Sequence, residues 1–150
     1  MARLLVVQHT PSPAVQAMLE AVLRGARNPE VGNVTVEVRA ALSSGAADVL
    51  AADAVILGTP ANIGYMSGAL KHWLDGVYYP CLEVTVGLPY GLFVHGNDDT
   101  TGAVRSVEKI TSALRWRPVA APVTVVGAPG RADLDACEDL GAVVAASIGL

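Results

Sequence analysis

Short unbroken apolar runs alternate along this chain with segments whose apolar residues recur every three or four positions. Leu4-Leu5-Val6-Val7 is the first such run. It suits a parallel strand covered on both faces and predicts a strand over Leu4–Gln8. In Thr10-Pro11-Ser12-Pro13, Ser12 can cap a helix and Pro13 fits the first helical position. Val15, Met18, Leu19, Val22 and Leu23 then fall on one helical face, with Gly25, Asn28 and Pro29 expected to end it. Val34, Val36 and Val38 alternate with Thr35 and Glu37, as in a strand nearer the sheet edge. A short helix is predicted over Ser43–Ala52.

Ala54-Val55-Ile56-Leu57-Gly58 is the strongest buried-strand pattern. Between Met66 and Val77, Leu70, Trp73, Leu74 and Val77 are spaced for a helix, with Gly76 expected at its end. Gly91–Val94 predicts a fourth strand, and Val104, Val107, Ile110 and Leu114 a fourth helix. Val123–Val126 is the fifth strand, and Asp133–Ile148 an Ala-rich closing helix. Strands each followed by a helix predict an α/β fold: a three-layer, doubly wound, five-stranded parallel sheet with right-handed crossovers. Its expected strand order is 2-1-3-4-5, with ligands outside the carboxyl ends of the strands. That rule selects the segments after strands 1, 3 and 4.

With 150 residues and no repeat or linker, one domain over 1–150 is expected. Hydrophobic residues at 52% and charged residues at 16% argue against disorder. No apolar run approaches the roughly 20 residues that cross a bilayer. Met1-Ala2-Arg3 leads into a strand rather than a secretion signal, so a cytoplasmic location without membrane attachment is expected. The net charge of −4, from 10 basic and 14 acidic residues, comes with no basic cluster, which argues against a nucleic-acid partner. Cys81 and Cys137 form no CxxC and lack a nearby His at metal spacing, so two reduced thiols and no metal are expected.

The first selected loop, His9–Val15, opens a helix whose free N–H groups and partial positive charge can hold a phosphate without Lys or Arg. Thr10 and Ser12 add hydroxyls, and Ala14 and Val15 amides; Pro13 has none to give. A plain helix cap explains Ser12 equally well. The second loop, Thr59–Lys71, carries Pro60, Gly64 and Gly68, which predicts a sharp turn and a close approach to something. The third, His95–Thr101, is turn-rich, with Asp98, Asp99 or Thr100 available to cap the next helix.

The stretch Gly58–Asp75, GTPANIGYMSGALKHWLD, resembles the second flavin loop of flavodoxin-like NAD(P)H-dependent flavin and quinone reductases. Gly58-Thr59-Pro60, Gly64-Tyr65-Met66, Lys71 and Trp73 carry that resemblance. The first loop matches the family's (Ser/Thr)-x-(Ser/Thr)-Gly-x-Thr at Thr10 and Ser12, with Pro13 replacing the glycine and Val15 the last hydroxyl. His95-Gly96-Asn97 resembles the third loop. The resemblance implies a flavodoxin-like fold holding FMN, with its phosphate at Thr10, Ser12, Pro13, Ala14 and Val15. The ring would lie between Pro60, Ala61, Asn62, Ile63, Gly64, Tyr65 and Met66 on one side and His95, Gly96, Asn97 and Asp98 on the other. Its reactive nitrogen would sit near the Ile63-Gly64-Tyr65 backbone and its pyrimidine edge near the helix start after Thr100. Tyr65 is a candidate cover for the ring, whereas Trp73 and Trp116 are expected in the core. A bound flavin carries its own chemistry, so no catalytic acid or base is assigned; His95 can donate a proton or a hydrogen bond there, or be an incidental loop histidine.

Three functions follow. An enzyme would pass electrons from NAD(P)H through FMN to a quinone or other small acceptor. A flavodoxin-type carrier would move single electrons between redox proteins. A flavin-free binding module would keep only the fold. Carriers that dock on basic partners tend to be strongly acidic, and −4 is mild, which favours the enzyme. Gln8-His9 and Gly58-Thr59 stand where a receiver domain needs its acids, and GxGxxG and GxxxxGK(S/T) are absent. Tyr78-Tyr79-Pro80-Cys81-Leu82 is expected near the flavin mouth, as a subunit contact, a substrate wall or a buried connection. A homo-oligomer is left open.

Overall fold

The computed structural model describes residues 1–149. In chain order it contains β1 (Ala2–Gln8), α1 (Pro13–Ala26), β2 (Val34–Ala40), α2 (Ala46–Leu50), β3 (Ala54–Asn62), β4 (Tyr65–Met66), α3 (Gly68–Cys81), β5 (Pro89–Gly96), α4 (Thr101–Ala113), β6 (Arg117–Pro118), β7 (Val123–Val126) and α5 (Arg131–Ala146). The long strands pair in parallel in the order β2-β1-β3-β5, and β6 and β7 both continue from β5. The expected 2-1-3-4-5 order therefore holds, with the fifth strand in two pieces. Pro118 and Pro122, which lack an N–H, flank the interruption. Between them the Val119 N–H still donates to the Tyr90 carbonyl at 3.1 Å.

Successive strand residues feed two cores. Leu4, Val6, Ile56 and Phe93 pack against α1 and α5. Leu5, Val7, Val55, Leu57 and Leu92 pack against α3 and α4. The opening run of β1 is apolar at every position because neither face meets water. α1 and α5 approach each other through glycine. A Cβ at Gly25 would lie 1.8 Å from the Glu138 carbonyl oxygen, and one at Gly141 2.0 Å from that of Val22. Gly25 thus lies inside α1 and serves close packing, where the sequence pattern marked a helix stop.

Gly76 also lies inside a helix, not at its end. α3 continues because Trp73, Leu74, Val77 and Cys81 form one buried stripe, and that burial outweighs one exposed glycine and Pro80 in the last turn. Since α3 starts beside the carboxyl end of β3, its last turn reaches the opposite pole of the sheet. Tyr78–Leu82 accordingly lies far from the carboxyl-end loops, which corrects its expected place near a flavin mouth. The helix predicted over Ser43–Ala52 is shorter, with a 3₁₀ turn at Ala41–Ser43 ahead of α2. Among the described residues, no helix is long and apolar enough to cross a membrane.

Cys81 and Cys137 are both free and buried. Burial pushes the Cys81 thiol up and, with Asp133 adding to it, the Cys137 thiol to about 11. The thiolate is the reactive form. Native protein at pH 8 is therefore expected to react with a thiol-disulfide reagent only as it unfolds; rapid labelling of either cysteine without denaturant would contradict this. The native state favours the protonated Cys137. Its stabilisation is complete below the ordinary thiol value of 9.0 and is lost as pH rises toward about 11.

Candidate functional site

The carboxyl ends of the central strands lie side by side, with Gln8 opposite Gly58, Pro60 opposite His95 and Gly96 opposite Val126. The segments leaving them enclose a cleft of about 330 Å³, lined by residues 11–14, 60–62 and 95–97 with Gly127 and Ala128. A second hollow of about 300 Å³ shares Ala61 and Asn97 with it and adds Ile63, Gly64, Asp98 and Asp99. Neither is lined by Lys or Arg.

At the first loop, Ser12 is the N-cap of α1, and its Oγ accepts from the Val15 N–H at 3.4 Å. The first-turn amides of a helix have no intrahelical acceptor, and Ala14, in the first turn of α1, lines the cleft. Thr10 is engaged differently, donating its hydroxyl to the Gln8 side chain. The Val15 side chain is fully buried in the core. Of the five first-loop candidates, Ser12, Pro13 and Ala14 line the cleft and Thr10 and Val15 do not.

The second segment is mostly strand. β3 runs on to Asn62 and pairs antiparallel with β4, Ala61 opposite Met66 and Asn62 opposite Tyr65. Ile63 and Gly64 form the two-residue turn with φ of +50° and +71°, the mark of a type I′ hairpin. A glycine was expected to take such a conformation; a β-branched Ile63 in it, wholly exposed, retains about 1–2 kcal/mol of backbone strain. Hydrogen bonds lock the hairpin base. Buried Thr59 Oγ1 donates to the Pro60 carbonyl (2.8 Å) and accepts from the Ser67 N–H (3.0 Å), while Ser106 Oγ accepts from the Met66 N–H (3.1 Å). The tip rests on α4, where a Cβ at Gly102 would lie 2.0 Å from the Gly64 carbonyl oxygen. Met66 is buried in the core, and Tyr65 is half exposed on the hairpin.

In the third segment, His95 and Gly96 belong to β5 itself. His95 is 7% exposed, with Nε2 2.8 Å from the Gly127 carbonyl oxygen, and the Gly127 N–H donates to the Gly96 carbonyl at 2.9 Å. Two bonds thus tie the ends of β5 and β7. Asp99 Oδ1 accepts from the Thr101 N–H (3.0 Å) and hydroxyl (2.8 Å), and these bonds hold its carboxyl below the usual carboxylate range. Asp99, among the three candidates, makes the side-chain bond at the start of α4. Sequence reasoning missed Gly127 and Ala128, although Gly127-Ala128-Pro129-Gly130 is turn-rich and follows a strand end. It also missed Gly102 and Ser106, whose role depends on a hairpin distant in sequence.

No family model matches the chain, and no curated protein matches it. Solved structures do. The Streptococcus pneumonia TIGR4 flavodoxin superposes with a TM-score of 0.84 at 18% identity, over 98% of this chain and 100% of that one. The fold is flavodoxin-like. A flavodoxin from the domain Archaea gives 0.81 at 20% identity, with 97% of each chain covered. A WrbA-like flavodoxin from Agrobacterium tumefaciens gives 0.76 at 20%, over 97% of this chain and 96% of that one. At these identities the likeness is one of fold. In this flavodoxin-like sheet the cleft lies at the carboxyl ends of the strands, where doubly wound folds place ligands.

Proposed function

We propose that the cleft holds FMN and that the chain passes electrons through it from NAD(P)H to a quinone or another small acceptor. One observation carries this reading: three segments from different strand ends converge on one cleft whose anion-binding feature is the N-terminus of α1. Backbone amides and a serine hydroxyl there suit a phosphate in a cleft that is not lined by Lys or Arg. Ser12, Pro13 and Ala14 would face the phosphate. Residues 60–64 and His95, Gly96, Asn97 and Asp98 would enclose the ring, with Tyr65 beside it. Bound FMN would supply the electron-accepting chemistry, while these residues position it and limit its contact with water.

A second reading, a one-electron carrier between redox proteins, is favoured by the end-to-end superposition on stand-alone flavodoxins and by the exposed apolar hairpin tip at Ile63 and Tyr65. Steady-state oxidation of NAD(P)H in the presence of FMN and a quinone separates the two. Turnover is expected for the enzyme; flavin that binds but is reduced only by dithionite or a redox protein supports the carrier. Failure of FMN to bind supports the flavin-free module.

Ser12→Ala is expected to weaken FMN binding by about 1.5–3 kcal/mol, the range for a hydrogen bond to a charged group, while leaving riboflavin binding nearly unchanged. Equal losses for both ligands would reduce Ser12 to a helix cap, with about 1 kcal/mol of stability as its whole contribution. Calorimetry with each ligand decides between these outcomes.

A further inference from the structure

At the pole opposite the cleft, the segment between α3 and β5 presents apolar side chains on a fixed support. Thr85 is turned inward: its hydroxyl donates to the Cys81 carbonyl (2.7 Å) and accepts from Trp116 Nε1 (2.9 Å). Its N–H also donates to the Cys81 carbonyl (3.1 Å), and the Gly87 N–H donates to the Arg115 carbonyl (2.7 Å). With Thr85 held in, its neighbours Val84 and Val86 are held out, 68% and 52% exposed. Leu50 of α2, also 52% exposed, faces them across a groove of about 210 Å³. Single exposed apolar residues need no explanation, but several converging on one groove mark an interaction surface.

The charges around this groove indicate what covers it. Arg115 follows α4 with φ of +58°. Its N–H donates to the Ser112 carbonyl and that of Trp116 to the Thr111 carbonyl, a Schellman closure in which glycine is the unstrained residue. The chain keeps an arginine there at the cost of a left-handed backbone. Arg115, Arg117 and Glu83 are exposed, and none joins the ion pairs formed among the described residues. A surface with an apolar centre and unpaired charges of both signs complements a copy of itself. In a two-fold arrangement each contact occurs twice with roles exchanged, so Glu83 of each copy can meet Arg115 of the other. The Glu83–Arg115 pairing leaves Arg117 solvated at the rim, whereas a uniformly acidic partner would set like charge against Glu83 and a uniformly basic one against both arginines.

We propose that this pole is the interface of a homodimer, with Val84, Val86 and Leu50 packed across the two-fold and Glu83 paired with Arg115 of the second copy. Sedimentation equilibrium over a range of concentrations tests it. The wild-type chain is expected to show a monomer–dimer equilibrium, and Val84→Glu to weaken the dimer at least about tenfold. Glu83→Arg and Arg115→Glu should each weaken it singly and restore it when combined. Arg115→Gly gives a readout that a purely structural role does not: a weaker dimer alongside a monomer melting about 2–4 °C higher as the left-handed strain is relieved. A wild-type chain that stays monomeric at the highest attainable concentration overturns the proposal. So does a dimer indifferent to Val84→Glu, or a charge-swapped double variant no better than the single ones. Wild-type monomer that instead captures a different protein through Val84 also overturns it.

Discussion

Gly141→Ala is expected to destabilise the fold by about 3 kcal/mol, the upper part of the usual range for overpacking. The new Cβ would lie 2.0 Å from the Val22 carbonyl oxygen and 2.9 Å from the Ala26 amide nitrogen. Both belong to helix backbone, so α1 and α5 must separate and lose contact along the whole interface. Gly25→Ala meets the same obstacle from the other side, 1.8 Å from the Glu138 carbonyl oxygen. At 2–4 °C per kcal/mol for a domain of this size, melting should fall by about 6–12 °C. Gly76→Ala provides the contrast. Nothing lies within 4 Å of its Cβ position and it sits inside α3, so the same substitution should stabilise by about 0.5–1 kcal/mol. Thermal melts of the three variants test the packing. Equal and small effects at Gly141 and Gly76 would mean that the helices do not meet through glycine.

The second large effect is expected at Gly102, on ligand binding. A Cβ there would lie 2.0 Å from the Gly64 carbonyl oxygen, and it would push the hairpin tip off α4. The tip lines the outer hollow, through Ile63 and Gly64, so its displacement should weaken FMN binding about tenfold or more, about 1.4 kcal/mol. The β3–β4 base, held by Thr59 and Ser106, should keep global stability nearly unchanged. Gly68→Ala, at the first position of α3 with nothing within 4 Å, should leave binding intact. A Gly102→Ala protein that binds FMN as the wild type does would show that the tip plays no part in the site.

The pattern of the sequence carries the fold well because the strands are buried on both faces. Leu4–Val7 and Ala54–Leu57 feed two cores at once, and no solvated strand reads that way. Glycine was harder to interpret. Gly25 and Gly76 look alike as helix punctuation, yet one fits beneath another helix and the other faces solvent, and only the packing partner distinguishes them. The fifth strand read as Val123–Val126 alone, since two prolines obscured β6. At the candidate site, Ser12 and Pro13 were legible from local capping rules, whereas the link between Gly102 and Gly64 joins residues that no local rule relates. Thr10 looked like a donor by residue type; its hydroxyl is engaged by Gln8 two residues earlier, a detail set by side-chain orientation at the end of β1.

The most direct test of flavin binding at the carboxyl-end cleft is calorimetric titration of the flavin-free, folded chain with FMN, riboflavin and FAD. FMN is expected to saturate one site per chain and to bind more tightly than riboflavin, because the α1 N-terminus adds a phosphate contact. It should also bind more tightly than FAD, whose adenosine has no partner in either hollow. A chain whose circular dichroism is that of a folded α/β protein but which does not bind FMN, or binds FAD more tightly, would contradict the assignment.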